Sequence, residues 1–156
     1  MTMSYMVIIV KVLIIHDSKY GNGKEIAKAI AKGLKQEGLE VDIIRAREVS
    51  TINPSDYDAF VLGSPTHVGG PTFKSGRATK YIGKSGGSGK PYTTFTTWLN
   101  IKQKTLLKIE NTASKAGLEK LMDGKAYKCG NLKGPLDEGS VEDAEAFGKE
   151  IAKRLM

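Results

Sequence analysis

The residues best suited to chemistry lie in a short turn between an apolar segment and an amphipathic one. Residues 12–15 form a continuous apolar run, which is typical of a parallel strand buried on both faces. The turn that follows offers a hydroxyl group and flexible glycines, and the first N–H groups of the next helix would point into it. We therefore expect this turn to bind an anionic group such as a phosphate. The residues of the turn are Ser18, Lys19, Tyr20, Gly21, Asn22 and Gly23.

Two common nucleotide-binding motifs do not describe this turn. The dinucleotide fingerprint G-x-G-x-x-G begins with Gly21 and Gly23, but its last position is the bulky Ile26. The P-loop motif fails at the pair Gly89-Lys90, because its first glycine is replaced by Lys84 and its hydroxyl residue by a proline. The bulky Ile26 therefore argues against the fingerprint, and the P-loop is rejected.

The turn resembles the phosphate loop of the flavodoxin family, which has the form Ser/Thr-x-Thr-Gly-Asn-Thr. Ser18, Gly21 and Asn22 match that form, whereas Tyr20 and Gly23 replace hydroxyl residues. The tyrosine version is similar to the loop in the flavodoxin domains of flavodiiron proteins, so Gly23 is the larger departure. Residues 63–72 and the tail at 134–155 also resemble segments of such domains.

The resemblance implies a flavodoxin-like α/β fold, a three-layer doubly wound parallel sheet of five strands in the order 2-1-3-4-5. The sequence agrees, because strand-like and helix-like segments alternate along the chain. We predict helices after the first turn to about Gly38, over 71–82, over most of 98–124 in one or two pieces, and from Ser140, where Asp143 three residues on comes close to a capping box. The predicted strands are 12–15, 39–46, 58–63, 90–97 and 126–131, and 83–89 is predicted to be a surface loop.

In an open parallel sheet, ligands bind beyond the carboxyl ends of the strands. Besides the first turn, two other segments reach that edge, and the resemblance implies that all three hold FMN. Trp98 is expected to stack on the flat ring, and His67 either faces the ring or points to solvent. His16 is interpreted as a packing histidine. The expected ligand residues in the two further segments are Pro65, Thr66, His67, Val68, Gly69, Gly70, Thr96, Thr97, Trp98 and Asn100.

Composition sets the broad class. The chain has 156 residues, 40% of them hydrophobic, which predicts one domain over 1–156, with residues 1–10 either a disordered start or an extension of the first strand. The apolar stretch at 6–15 is shorter than the roughly 20 residues that span a bilayer, and no secretory signal is recognised. The lone Cys129 cannot form an internal disulfide, which agrees with a reducing compartment, and we expect it to be a packing residue. Together with the short apolar stretch, this predicts a cytoplasmic protein without membrane association.

The net charge of +7 is spread over most predicted helices and not gathered on a nucleic-acid-binding module. We therefore expect no nucleic-acid partner and favour redox proteins with acidic surfaces. The favoured function is that of an FMN-binding electron carrier. An FMN-dependent NAD(P)H:quinone-type reductase of the same fold remains the first alternative, and a binding or signalling module without flavin the second. The oligomeric state is left open.

Overall fold

A parallel sheet of six strands forms the centre of the computed structural model, which describes residues 8–66, 70–98, 104–131 and 133–156. Its order is β2-β1-β3-β4-β5, and β6 also pairs with β4, which confirms the predicted fold class. The strands are β1 (Lys11–His16), β2 (Glu40–Arg45), β3 (Ala59–Pro65), β4 (Pro91–Trp98), β5 (Glu119–Lys120) and β6 (Lys125–Lys128).

Helices cover both faces of the sheet and divide its core in two. Along β1, Val12 and Ile14 point into the core beneath α1 and α4, while Leu13 and Ile15 point into the core beneath α2 and α3. This alternation within an unbroken apolar run is what a strand buried on both faces requires. The helices are α1 (Asn22–Gln36), α2 (Phe73–Ile82), α3 (Thr105–Lys115) and α4 (Ser140–Leu155), with short 3-10 turns at Ala46–Thr51 and Pro54–Asp56.

Two glycines bring α1 and α4 into backbone contact. A β-carbon on Gly33 would overlap the carbonyl oxygen of Glu145, and one on Gly148 would overlap the carbonyl oxygen of Ile30. The two helices therefore pack more closely than side chains would permit, and this contact holds the last helix beside the helix that begins at the candidate phosphate loop.

We predict that Gly148→Ala destabilises the fold by about 1–3 kcal/mol, because overpacking at this contact outweighs the gain in helix propensity. Urea unfolding followed by circular dichroism measures the effect. Gly76→Ala is the matched control: it lies within α2, and a β-carbon there meets no atom within 4 Å. That substitution should stabilise the protein by about 0.5–1 kcal/mol. Equal effects of both substitutions on the free energy of unfolding would contradict the close contact of α1 and α4 at Gly148.

The helical prediction over 98–124 is confirmed for α3 and wrong both at Trp98, which ends β4, and beyond α3. Residues 99–103 of that prediction lie outside the described residues. Gly117 adopts a φ of 90°, which ends the helix, and Leu118 is buried immediately afterwards. The next two residues form β5 beside Pro91 and Tyr92, and β6 pairs with the same strand further along. Backbone pairing with β4 thus prevails over a helix-like apolar spacing, and the fifth strand is split in two.

Two smaller predictions also need correction. The first part of the predicted surface loop, Gly83–Gly87, begins as a wide turn that continues α2, and the chain leaves helical geometry at Ser85 and at Gly86, which has a φ of 119°. The predicted capping box is wrong, because the residue that caps α4 is Gly139, with a φ of 84° and no capping side chain. Asp143 instead accepts a hydrogen bond of 2.9 Å from the Tyr127 hydroxyl, and so joins α4 to β6.

Candidate functional site

A cleft opens at the carboxyl edge of the sheet, where the ends of β1, β3, β4 and β6 meet. The cleft has a volume of about 60 Å³. The residues that line it are Ser18, Lys19, Tyr20, Asn22, Gly23, Pro65, Thr66, Thr97, Trp98, Cys129 and Asn131. Residues from all three predicted segments are therefore brought together.

The first segment has the backbone geometry of an anion-binding turn. Gly21 adopts a φ of 97°, a left-handed conformation that glycine tolerates best, and caps α1 without a side-chain bond. Its N–H donates to Ser18 Oγ at 2.8 Å, and its carbonyl accepts from the Glu25 N–H at 2.9 Å. Because the bond from Glu25 to Gly21 is the first helical hydrogen bond of α1, the amides of Gly23 and Lys24 have no intrahelical acceptor. The turn is thus built to present N–H groups to a ligand.

The side chain of His16 is hydrogen-bonded to the backbone of this turn. Its side chain is 3% exposed, and Nδ1 accepts a hydrogen bond of 3.2 Å from the Ser18 N–H, which confirms the interpretation as a packing histidine. Burial, followed by the positive charges of Arg45 and Lys24, lowers the pKa of His16 below its ordinary value of 6.5. The neutral ring is therefore favoured, and only a ring without a proton on Nδ1 can accept this bond.

Stability should fall as the pH drops below 6.5, because the unfolded chain then binds a proton that folded His16 resists. The contribution is fully present above 6.5 and is lost towards the lowered pKa of the folded state. We predict a smaller loss for His16→Asn, whose side-chain oxygen can still accept from Ser18. Urea unfolding at about pH 7.5 and about pH 5.5 measures the two losses. An equal pH dependence of stability in the parent and in His16→Asn would mean that His16 does not cause the loss at low pH.

A chain of hydroxyl groups fixes the start of the second segment. Thr66 Oγ1 lies 3.0 Å from Thr96 Oγ1 and 2.9 Å from Thr105 Oγ1, and the Thr66 N–H donates to the Thr97 carbonyl at 2.9 Å. At the far end, the Thr72 N–H donates to Ser64 Oγ at 2.9 Å. The loop is therefore tied at both ends. Thr96 is fully buried and does not line the cleft, so it lies behind the residues that form the cleft surface.

Trp98 stands at the end of β4 on one side of the cleft. It is half-buried, and the Lys128 Nζ lies 5.4 Å from the centre of its ring. Its carbonyl accepts from the Cys129 N–H at 2.8 Å, so the strand end is fixed against the segment that follows β6. A flat aromatic surface is thereby held at the cleft.

Besides Thr96, two predicted residues that the structure describes do not line this cleft. Gly21 shapes the turn through its backbone, and Gly70 is buried beside the Lys108 side chain. His67, Val68, Gly69 and Asn100 lie outside the described residues.

A fourth wall, which the sequence analysis missed, follows β6. Strand pairing stops at Lys128, and the chain then turns back so that Cys129 bridges Leu136. Gly134, with a φ of 97°, comes so close to Asn22 Oδ1 that a β-carbon would stand 2.7 Å from it. Cys129 and Asn131 thereby reach the cleft, and burial raises the pKa of the Cys129 thiol, which keeps it protonated. The glycines and proline of 130–135 could have indicated a turn here instead of a strand.

Within the described part of the chain, no group of His, Cys, Asp and Glu side chains is placed to hold a metal ion. None of the described helices is both long and apolar enough to cross a bilayer.

Comparison with known proteins agrees with this architecture. A family profile described as "Flavodoxin domain" matches residues 13–145. Among solved structures, an archaeal flavodoxin aligns over 94% of this chain and 99% of its own, with a TM-score of 0.78 and 17% identity. The flavodiiron protein of Giardia intestinalis aligns over 92% of this chain and 36% of its own, with a TM-score of 0.79 and 21% identity.

Similarity to curated relatives is confined to shorter stretches. The flavodoxin of Aquifex aeolicus is 35% identical over 68 residues, which are 43% of this chain and 37% of that protein. An NAD(P)H dehydrogenase (quinone) of Caulobacter vibrioides is 33% identical over 79 residues, with 38% of this chain and 40% of that protein covered. The chain therefore spans about two fifths of the length of these relatives.

Proposed function

Because the chain belongs to the flavodoxin domain family, we propose that it binds FMN in the cleft at the carboxyl edge of the sheet and carries electrons between redox proteins. The observation that carries the proposal is the meeting of an anion-binding turn and an aromatic wall in one cleft. A bound flavin would supply reversible transfer of one or two electrons.

The residues present fit the phosphate end of FMN. Ser18 uses its oxygen to accept from Gly21, so its own hydroxyl proton remains to donate to a phosphate oxygen. The amides of Gly23 and Lys24 add donors at the positive end of α1. The flavin ring would lie against Trp98, which lines the same cleft.

Gly23 offers a test by gain of function. A β-carbon there would stand 3.4 Å from Ser18 Cβ, an ordinary contact, so a larger side chain can be accommodated. We predict that Gly23→Thr tightens FMN binding by about tenfold, because it adds a hydroxyl donor worth about 1.5 kcal/mol to a charged acceptor. Fluorescence titration measures the affinity. Gly23→Ala is the control and should leave the affinity within about twofold of the parent; an equal gain in both variants would contradict the role of the hydroxyl.

The reductase alternative is supported by the similarity to NAD(P)H dehydrogenases (quinone) over part of the chain. A carrier needs no nicotinamide site of its own, whereas a reductase must accept hydride from NADH or NADPH. The FMN-loaded protein is therefore mixed with each nicotinamide and a benzoquinone, and oxidation is followed at the nicotinamide absorption band. The carrier proposal expects no turnover above free FMN, and saturable turnover would establish the reductase.

Further parts of the proposal concern partners and location. We propose redox proteins with acidic surfaces as partners, because the chain has a net charge of +7. We also propose a cytoplasmic location and no association with membranes or nucleic acids. A module that binds no flavin remains the other alternative, and the absence of FMN binding would support it.

A further inference from the structure

A second cleft opens on the outer side of the first turn, between the ends of β1 and β2 and the start of α2. Its volume is about 510 Å³, and its walls share Ser18 and Lys19 with the candidate flavin site. We call it the basic cleft, because positive side chains dominate its lining and Asp17 is the only carboxylate that the described lining contains. Its residues are Asp17, Ser18, Lys19, Arg45, Arg47, Thr72, Phe73 and Lys74.

A large aromatic ring stands exposed at the rim of the basic cleft. Phe73 is 79% exposed although it is the first residue of α2, and its ring lies 5.7 Å from the Arg77 guanidinium. Tyr20, on the side of the first turn, is 43% exposed with the Lys19 Nζ 5.4 Å from its ring. Exposed rings of this kind are enriched among the residues that anchor protein interfaces. Both are bordered by cations.

Within the described part of the chain, the cations around this cleft form no ion pair with a carboxylate. Ion pairs among the described residues involve other cations, such as Lys11 with Asp42, Lys32 with Glu145 and Lys120 with Asp123. Lys19, Arg45, Arg47, Lys74 and Arg77 occur in none of the ion pairs formed within the described part of the chain. Positive charge is therefore available to a partner at one end of the molecule.

We propose that the basic cleft and the rings of Phe73 and Tyr20 form the docking surface for an acidic redox protein. The proposal rests on the proposed function, because the partner would stand beside the electron-carrying group. Carboxylates of the partner would enter the cleft opposite Arg47 and Lys74, and Phe73 would be buried against an apolar patch of the partner. Proteins that bind a nucleic-acid strand have a continuous basic groove along its backbone. Here the cations surround one cleft with two exposed rings beside it, an arrangement that fits a protein partner better.

The test uses an acidic ferredoxin as the probe, with basic cytochrome c for comparison. Isothermal titration calorimetry measures the affinity of each of these two proteins for the full chain, with and without added FMN, at low and at high salt. We expect Phe73→Ser to weaken ferredoxin binding by about tenfold or more, and the double change Arg47→Glu with Lys74→Glu to weaken it further. Ile9→Ser and Lys153→Glu remove an exposed apolar side chain and a cation elsewhere, and should leave the affinity within about twofold.

Several results would overturn the docking surface: no ferredoxin binding, equal losses in the control variants, or tighter binding of cytochrome c. Binding of a single-stranded oligonucleotide that is lost in the same variants would replace it by a nucleic-acid site. FMN binding is measured separately on every variant, and because neither Phe73, Arg47 nor Lys74 lines the flavin cleft, it should persist in all of them. Failure of docking with FMN bound is thus distinguished from failure of the proposed function.

Discussion

Trp98→Ala should weaken FMN binding by about 10–100-fold, the effect of removing a stacking surface worth about 1–3 kcal/mol. Trp98 follows directly on the buried part of β4, and its half-buried position at the cleft places its ring where a flavin can lie. The contact of Cys129 N–H with its carbonyl fixes the backbone, so the substitution removes a ring without releasing the strand. Quenching of FMN fluorescence during titration measures the loss.

A conservative change at the same position separates stacking from packing. Trp98→Phe retains an aromatic face and should lose less than about tenfold in affinity. Riboflavin binding should fall in parallel with FMN binding in Trp98→Ala, because the two ligands share the ring. Unchanged affinity for both ligands in Trp98→Ala would contradict the placement of the flavin against this side chain.

Ser18→Ala should weaken FMN binding by about 10–100-fold while it leaves riboflavin binding nearly unchanged. A hydrogen bond to a charged group contributes about 1.5–3 kcal/mol, and the Gly21 N–H would lose its acceptor as well. Because riboflavin lacks the phosphate, its affinity reports the ring site alone. The difference between the two ligands is measured by the same fluorescence titration.

Ser55→Ala serves as the control for this substitution. Ser55 is exposed near the amino end of β3, away from the cleft, and its hydroxyl bonds Asn53 at 2.6 Å. Neither ligand should respond to its loss. An equal fall of FMN and riboflavin affinity in Ser18→Ala would mean that the serine maintains the whole cleft, and would contradict a specific phosphate contact.

The sequence predicted the parts of the fold that local pattern determines. The apolar run of β1, the glycine turn at Gly21 and the apolar stripe of α1 are local signals, and the structure confirms all three elements. The carboxyl ends of parallel strands converge by topology, which is why residues from three distant segments of the chain were predicted to meet.

The rest depends on contacts between residues far apart in the sequence. Residues 118–122 have the apolar spacing of a helix, and only the free edge of β4 makes their first part a strand. The turn after Lys128 brings Cys129 to the cleft through a bridge to Leu136 and the close approach of Gly134 to Asn22. Likewise, nothing local in Thr66 indicates that its hydroxyl joins those of Thr96 and Thr105.

Titration of the purified protein with FMN, followed by visible absorption and fluorescence, tests whether the cleft at the carboxyl edge of the sheet binds FMN. We predict saturable binding with one FMN per chain, a perturbed flavin spectrum, and weaker binding of riboflavin because the phosphate contacts are lost. Absence of binding, or equal affinity for FMN and riboflavin, would contradict a phosphate site at the turn that Ser18 and Gly21 build.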